Sequence, residues 1–254
     1  MITTATRGAI AEIGLDHPPL NLVTKALLRA LNEALLQVAA APAVRCVILH
    51  GGTARAFCAG SDIRDLIELR QNASEEKILF EDLVLRRLAG LPVPTVAALD
   101  GPALGGGLEL ALACDLRVCK AGVALGVPES HLGGLAANGA VRLTRLVGPA
   151  RARELLYTGD TLTAEQAHAW GLVNRVVQGG SALDAARELA DTIAARGPIS
   201  NRLAKTLVDA AQDGPLDAAL SRSTRAQQEI FDSDDLHEGA AAFFAKRAPR
   251  FTGR

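Results

Sequence analysis

Apolar and polar positions change their period along this chain, and the changes divide it into elements. Residues 9–15 alternate loosely, as in a half-buried strand. From Leu27 the apolar positions Leu27, Leu28, Leu31, Leu35 and Val38 recur at helical spacing, with Thr24 placed to cap that helix. A short β-branched run at 44–49 predicts a buried strand, ended by Gly51-Gly52. A second unit repeats the logic, with a helix around 78–88, a stop at Gly90 and Pro92, and a strand at 95–99. Further strands are predicted at 116–119, 124–127 and 173–177. After Gly180 the character changes. Ser181 can cap a helix running to about Ala195, Gly197-Pro198 breaks it, and two or three more helices fill the remainder. The pattern predicts an α/β chain with a β/α core over residues 1–180 and a helical region over 181–254.

Composition narrows this picture. Apolar residues are 49% of the chain but aromatics only 3%, so Ala, Leu and Val must build most of the core. Twenty-seven basic residues against 28 acidic ones leave a formal charge of -1, which carries no electrostatic footprint for nucleic acid or an anionic membrane. No apolar run approaches the ~20 residues a membrane helix needs. The first eight residues lack the charged-then-apolar pattern of a signal peptide. Cys46, Cys58, Cys114 and Cys119 form no CxxC pair and no His/Cys metal spacing, so buried, reduced thiols and no metal are expected. A soluble protein of the reducing cytoplasm fits these features.

Two segments place glycine at a strand–helix junction. The first, residues 56–64, reads AFCAGSDIR, and Ser61 or Asp62 can cap the helix carrying Ile63, Leu66 and Ile67. The second, residues 100–110, reads DGPALGGGLEL. Its run Gly105-Gly106-Gly107 lets backbone approach a ligand closely, and the following helix aims unpaired N–H groups at that point. Neither phosphate-loop pattern, GxxxxGK[ST] or GxGxxG, is present. The run therefore reads either as a tight turn or as a donor site for a developing oxyanion, such as the enolate of a thioester. Glu109 sits in the first turn of an otherwise apolar helix, where a charge is costly unless paired or used. Glu129 follows another short strand. Each alone reads as a helix-start carboxylate, whereas two facing one pocket could hold a water and move protons.

Several longer stretches carry a resemblance. They are AFCAGSDIRDL (56–66), ALDGPALGGGLELALACD (98–115), LGVPESHLG (125–133), RLTRLVG (142–148), TGDTLTAEQAHAWGLVNRVV (158–177) and EGAAAFFAKRAPRF (238–251). In their order and spacing they resemble the crotonase, or enoyl-CoA hydratase/isomerase, family over essentially the whole chain. The resemblance implies a ClpP/crotonase-like spiral of ββα units with a helical C-terminal trimerisation region, assembling as trimers or dimers of trimers. It implies an acyl-CoA thioester substrate, with coenzyme A part of the substrate and no separate cofactor. The backbone N–H groups of Ser61 and Gly106 would form the oxyanion hole. Ala59, Ser61, Asp62, Ile63 and Arg64 would line the coenzyme A arm, beside Gly105. Phe243 and Lys246 would approach coenzyme A, sometimes from a neighbouring subunit, although a solvated helix end is the equal reading of Lys246. Glu129 lies 20 residues after Glu109, the separation that hydratases of the family show. The implied reaction is reversible syn addition of water to a trans-2-enoyl-CoA, with Glu109 activating water and Glu129 protonating Cα.

The chain departs from the family pattern in places. Residues 133–142 read GGLAANGAVR, one residue shorter than the usual Pro-Gly-x-Gly-Gly turn, whose N–H helps position water. His131 is unusual at its place, and reads as a surface histidine or as an extra polar group near the pocket. Pro19 replaces a basic residue near the coenzyme A phosphates. Residues 65–80, with Leu66, Ile67 and Leu69, would line the acyl pocket, and this stretch is the least family-like part of the core. Double-bond isomerisation, decarboxylation or thioester hydrolysis stay open beside hydration. A non-catalytic RNA-binding relative is disfavoured by the charge balance.

Overall fold

The computed structural model describes all 254 residues, apart from the side chains of Leu66 and Arg70. Its strands are β1 (Ile2–Arg7), β2 (Ile10–Leu15), β3 (Cys46–His50), β4 (Thr95–Leu99), β5 (Ala103–Leu104), β6 (Leu116–Lys120), β7 (Ala124–Gly126), β8 (Thr161–Thr163) and β9 (Arg175–Val177). Its helices begin with α1 (Lys25–Ala39), α2 (Ile63–Leu69), α3 (Leu79–Ala89), α4 (Gly106–Ala113), α5 (Ala137–Val147), α6 (Pro149–Thr158) and α7 (Ala164–Ala169). The helical region follows, as α8 (Ala182–Ala194), α9 (Pro198–Asp213), α10 (Leu216–Phe231) and α11 (Asp234–Phe244).

One six-stranded sheet runs β1-β2-β3-β4-β6-β9, parallel except for the β1/β2 hairpin. A second sheet, β5-β7-β8, stands beside it. In β4-β5-α4 and β6-β7-α5 the first strand joins the large sheet and the second joins the small one. The short bridge Cys58–Ala103 extends the same pattern to the segment after β3.

The period-2 geometry of the strands divides the core in two. Ile13, Leu15, Val47, Leu49, Ala97 and Leu99 face α1, α3 and α4. Ile10, Cys46, Ile48, Val96, Ala98 and Val118 face α8, whose Ala182, Ala186 and Ala190 lie flat on the sheet. Burial on both faces is what a parallel sheet requires, and it explains why the strands read as near-continuous apolar runs. Alanine on α8 takes the place of the missing aromatics by letting the helix backbone approach closely.

Caps expected from the sequence hold α1 and α8. Thr24 Oγ1 accepts from Leu27 N at 3.1 Å, and Ser181 Oγ accepts from Leu183 N at 3.0 Å. Asp100, at the end of β4, adds a carboxylate to the α8 terminus, accepting from Ala182 N at 2.6 Å and from Ser181 Oγ at 2.9 Å. The helix expected around 78–88 differs at its start. A π-helical turn, Ser74–Ile78, precedes α3, with Leu79 N bonding to Ser74 O. The four cysteines are buried and unpaired, and burial pushes each thiol up to about 12. No helix among the described residues is long and apolar enough to cross a membrane.

Candidate active site

The loop after β3 is clamped between two others. Asn21, fully buried with φ 53°, donates through Nδ2 to the carbonyls of Gly51, Ala56 and Phe57, while its Oδ1 accepts from His17 N. Ala59 N donates to Leu20 O, Val23 N to Gly60 O, and Asp62 N to Val23 O. On the other side Cys58 N donates to Pro102 O, and Leu104 N to Cys58 O. The amides of Ser61 and Gly106 enter none of these bonds. A Cβ built on Gly60 would lie 3.7 Å from Gly106 N, so the two loops run side by side. Two uncommitted N–H groups on adjacent loops, one at the N-terminus of the fully buried α4, form an anion-attracting edge.

The glycine run is needed for two different reasons. Gly105 has φ 52°, and a Cβ there would collide with Glu129 Oε1. A Cβ on Gly107 would drive into the carbonyl oxygen of Cys58. Gly106 has ordinary room, and the nearest atoms a side chain would meet are Glu81 Oε1, Ser61 Oγ and Val23 Cγ2, each at 3.5 Å.

Glu109 and Glu129 converge on this edge. Glu109 is buried on α4, and its Oε1 accepts from Gly139 N at 2.7 Å. Gly139 lies in the first turn of α5, so the shortened 133–142 stretch ends in a helix start whose N–H anchors a carboxylate. Burial pushes the Glu109 carboxyl up to about 7, the charges of Glu81 and Glu129 add to this, and Gly139 N–H and Arg142 oppose it. Glu129, on the 3₁₀ turn Pro128–Leu132, is raised as well, by burial and then by Glu81. Its Oε2 is buried without a hydrogen-bond partner. A buried, unpartnered carboxylate oxygen is costly in a fold and marks a position that awaits a ligand or a water.

A raised carboxyl pKa carries a stability consequence. With the unfolded value near 4.5 and the folded value about 7, folding holds the proton more tightly than the unfolded chain does. Stability is then complete below the lower value and lost as pH rises through the upper one, by about 3 kcal/mol. Glu109→Gln is therefore expected to unfold at higher urea than the parent at about pH 8, with the gap closing towards about pH 5. Equal midpoints at both pH values would exclude this cost.

The remaining sequence candidates lie farther out. Ala59 is half-buried on the clamped loop. Asp62 caps α2 by accepting from Arg64 N, and it also binds the Arg64 guanidinium through Nε at 3.0 Å and Nη2 at 2.7 Å. The Arg64 side chain is 83% exposed, so this cation stands at the rim with its charge already answered. Ile63 and Ile67 are exposed, half-buried Leu69 ends α2, and Leu66 lies outside the described side chains. Phe243 and Lys246 are exposed at the end of α11, where Lys246 N donates to Phe243 O, and among the described residues neither bonds to the glutamates or the clamped loops. His131 is exposed too, and its Nε2 lies 2.9 Å from Thr158 O, which makes it a surface pin between turns.

Four residues of this neighbourhood escaped the sequence reading: Asn21, Lys77, Glu81 and Gly139. Gly139 and Asn21 carry no local signal, because each acts through a contact with a distant loop. Lys77 and Glu81 belong to the stretch SEEKILFEDL, where five charges among ten residues give no sign of which ones turn inward.

The family profile described as enoyl-CoA hydratase/isomerase matches residues 5–254. The human enoyl-CoA hydratase domain-containing protein 2, mitochondrial, is 37% identical over 258 residues, covering 96% of this chain and 86% of the relative. Carnitinyl-CoA dehydratase of Proteus mirabilis is 34% identical over 260 residues, covering 98% and 97%. A crystal structure of enoyl-CoA hydratase from Bacillus anthracis superposes with a TM-score of 0.95 at 34% identity, covering 100% of this chain and 99% of the other. The chain belongs to the enoyl-CoA hydratase/isomerase, or crotonase, family, with its α/β crotonase fold and its action on acyl-CoA thioesters.

Proposed function

We propose that this protein is a hydro-lyase that adds water reversibly and syn across the double bond of a trans-2-enoyl-CoA. The observation that carries this reading is the pair of glutamates beside Gly105-Gly106, buried Glu109 anchored by Gly139 N–H and half-buried Glu129 with one buried, unpartnered oxygen. Ser61 N–H and Gly106 N–H would receive the thioester oxygen as enolate character develops. One such donor is worth roughly 2.7–4 kcal/mol of barrier. Ionised Glu109 takes a proton from water as its oxygen bonds to C3, while protonated Glu129 delivers a proton to C2. Two close carboxyls with raised pKa values favour sharing one proton, the state this division of labour needs.

Ala59 to Arg64 would line the coenzyme A arm, and the chemistry requires no cofactor beyond the substrate's own thioester. Phe243 and Lys246 would meet coenzyme A from a neighbouring subunit of a trimer or dimer of trimers. Exposed Leu216, Leu220, Phe231, Phe243 and Phe244 on α10 and α11 support this part of 181–254 as the assembling face, while α8 packs on the sheet.

The test is product identification from crotonyl-CoA and a 3-enoyl-CoA. 3-Hydroxybutyryl-CoA from the first is the expected result. Migration of the double bond in the second without hydration of the first would replace this reading by isomerisation, and turnover of neither would exclude both.

A further inference from the structure

The wall beside the proposed oxyanion edge is built the wrong way round for a hydrocarbon pocket. The inward stripe of α3, Val84, Leu85 and Leu88, continues one and two turns upstream onto Glu81 and Lys77. Meanwhile Ile78, Leu79 and Leu83 are exposed. Charges point in and aliphatic side chains point out, the reverse of a helix that only packs.

Lys77 is 2% exposed; its Nζ donates to Ser61 Oγ at 2.8 Å and stands 3.6 Å from Glu81 Oε2. Glu81 is 16% exposed and, beyond that ion pair, accepts no hydrogen bond among the described residues. Its Oε1 lies 3.5 Å from where a Gly106 side chain would begin. Its charge also raises the carboxyls of Glu109 and Glu129, which places it on the same space as both. The pair thus lies beside both loops that carry the uncommitted amides, bonded to one at Ser61 Oγ and next to the other at Gly106.

Taking the acyl-CoA hydration reading as its basis, we propose that Lys77 and Glu81 form a polar end to the acyl pocket that selects thioesters bearing a hydroxyl on the acyl chain. A hydrocarbon chain sealed over this pair would leave carboxylate lone pairs and an ammonium proton unmet. A hydroxyl accepts from Lys77 and donates to Glu81, meeting both. An acyl carboxylate would face Glu81 and an acyl ammonium would face Lys77, so a neutral group with both capacities fits best. The π-helical turn Ser74–Ile78, a distortion frequent at functional sites, carries Lys77 into this position.

The experiment compares 2-enoyl-CoA esters hydroxylated at carbon 4, 5 or 6 with unsubstituted esters of equal length. Turnover gives kcat/KM, and calorimetry on the saturated counterparts gives binding without chemistry. At least one hydroxylated ester is expected to be favoured about tenfold or more in both. Glu81→Gln should shrink that preference, and the double substitution Lys77→Met with Glu81→Leu should reverse it. Equal treatment of every pair by the parent protein, or a preference that survives the double substitution, overturns the proposal. Absence of hydration with a hydroxyl preference in binding would remove the hydration reading and leave the pocket assignment standing.

Discussion

Replacing Glu109 or Glu129 by glutamine is expected to lower hydration of crotonyl-CoA by about 10²–10⁴-fold in kcat, with little change in KM. Glutamine keeps the shape of each side chain, and at position 109 its amide oxygen can still accept from Gly139 N–H. The fold and the substrate path are therefore retained, and what disappears is the movable proton. The two losses should not multiply in the double variant, because water activation and Cα protonation serve one transition state. A carboxyl at about 7 also leaves Glu109 half-ionised near neutrality, so the parent rate should climb with pH through that region. The climb should be absent from the residual activity of Glu109→Gln. Near-normal hydration by either single variant would remove both glutamates from the mechanism as assigned.

The second large effect is on stability. Arg117→Met is expected to cost about 3–5 kcal/mol and to lower Tm by roughly 10 °C. The guanidinium is 3% exposed and donates to four carbonyls, those of Leu172 at 2.7 Å, Cys114 at 2.7 Å, Ala111 at 3.3 Å and Asp115 at 3.3 Å. Two of these belong to the C-terminal end of α4, where carbonyls are otherwise orphaned and a cation answers the dipole. The others tie α4 to β6 and to the loop leading into β9. Methionine fills much of the space but leaves the carbonyls buried and unpaired. Arg117→Lys should fall between the two, since one ammonium cannot reach four acceptors in that arrangement. Denaturant titration decides the matter, and a loss below about 1 kcal/mol would show that water can replace the guanidinium.

Much of the fold was legible along the chain. The strands at 44–49, 95–99 and 116–119 are found within a residue or two, because strands buried on both faces must be apolar throughout. Thr24 and Ser181 announced their helices for an equally local reason, since a cap bonds to N–H groups two or three residues away. The glycine run and the two glutamates were legible as candidates for the same reason, as was the family.

What the linear chain withheld is whatever depends on residues far apart in sequence. β5 and β8 are only two and three residues long, too short to show a period, and exist because β7 lies between them. The shortened 133–142 stretch raised doubt about a water-holding N–H, and the fold answers with Gly139 bonded to Glu109, 30 residues away. Arg64, expected along the coenzyme A arm, has its charge answered by Asp62, a pairing that only the folded loop shows. Lys77 and Glu81 are not singled out by the sequence, because whether a charged helix face meets solvent or a pocket is decided by the elements packed against it. The sequence by itself determined the kinds of groups present, the elements that carry them and the family they belong to. The tertiary structure alone decided which groups share a space, and burial in that space then raises carboxyls, strands an oxygen of Glu129 and turns a lysine inward.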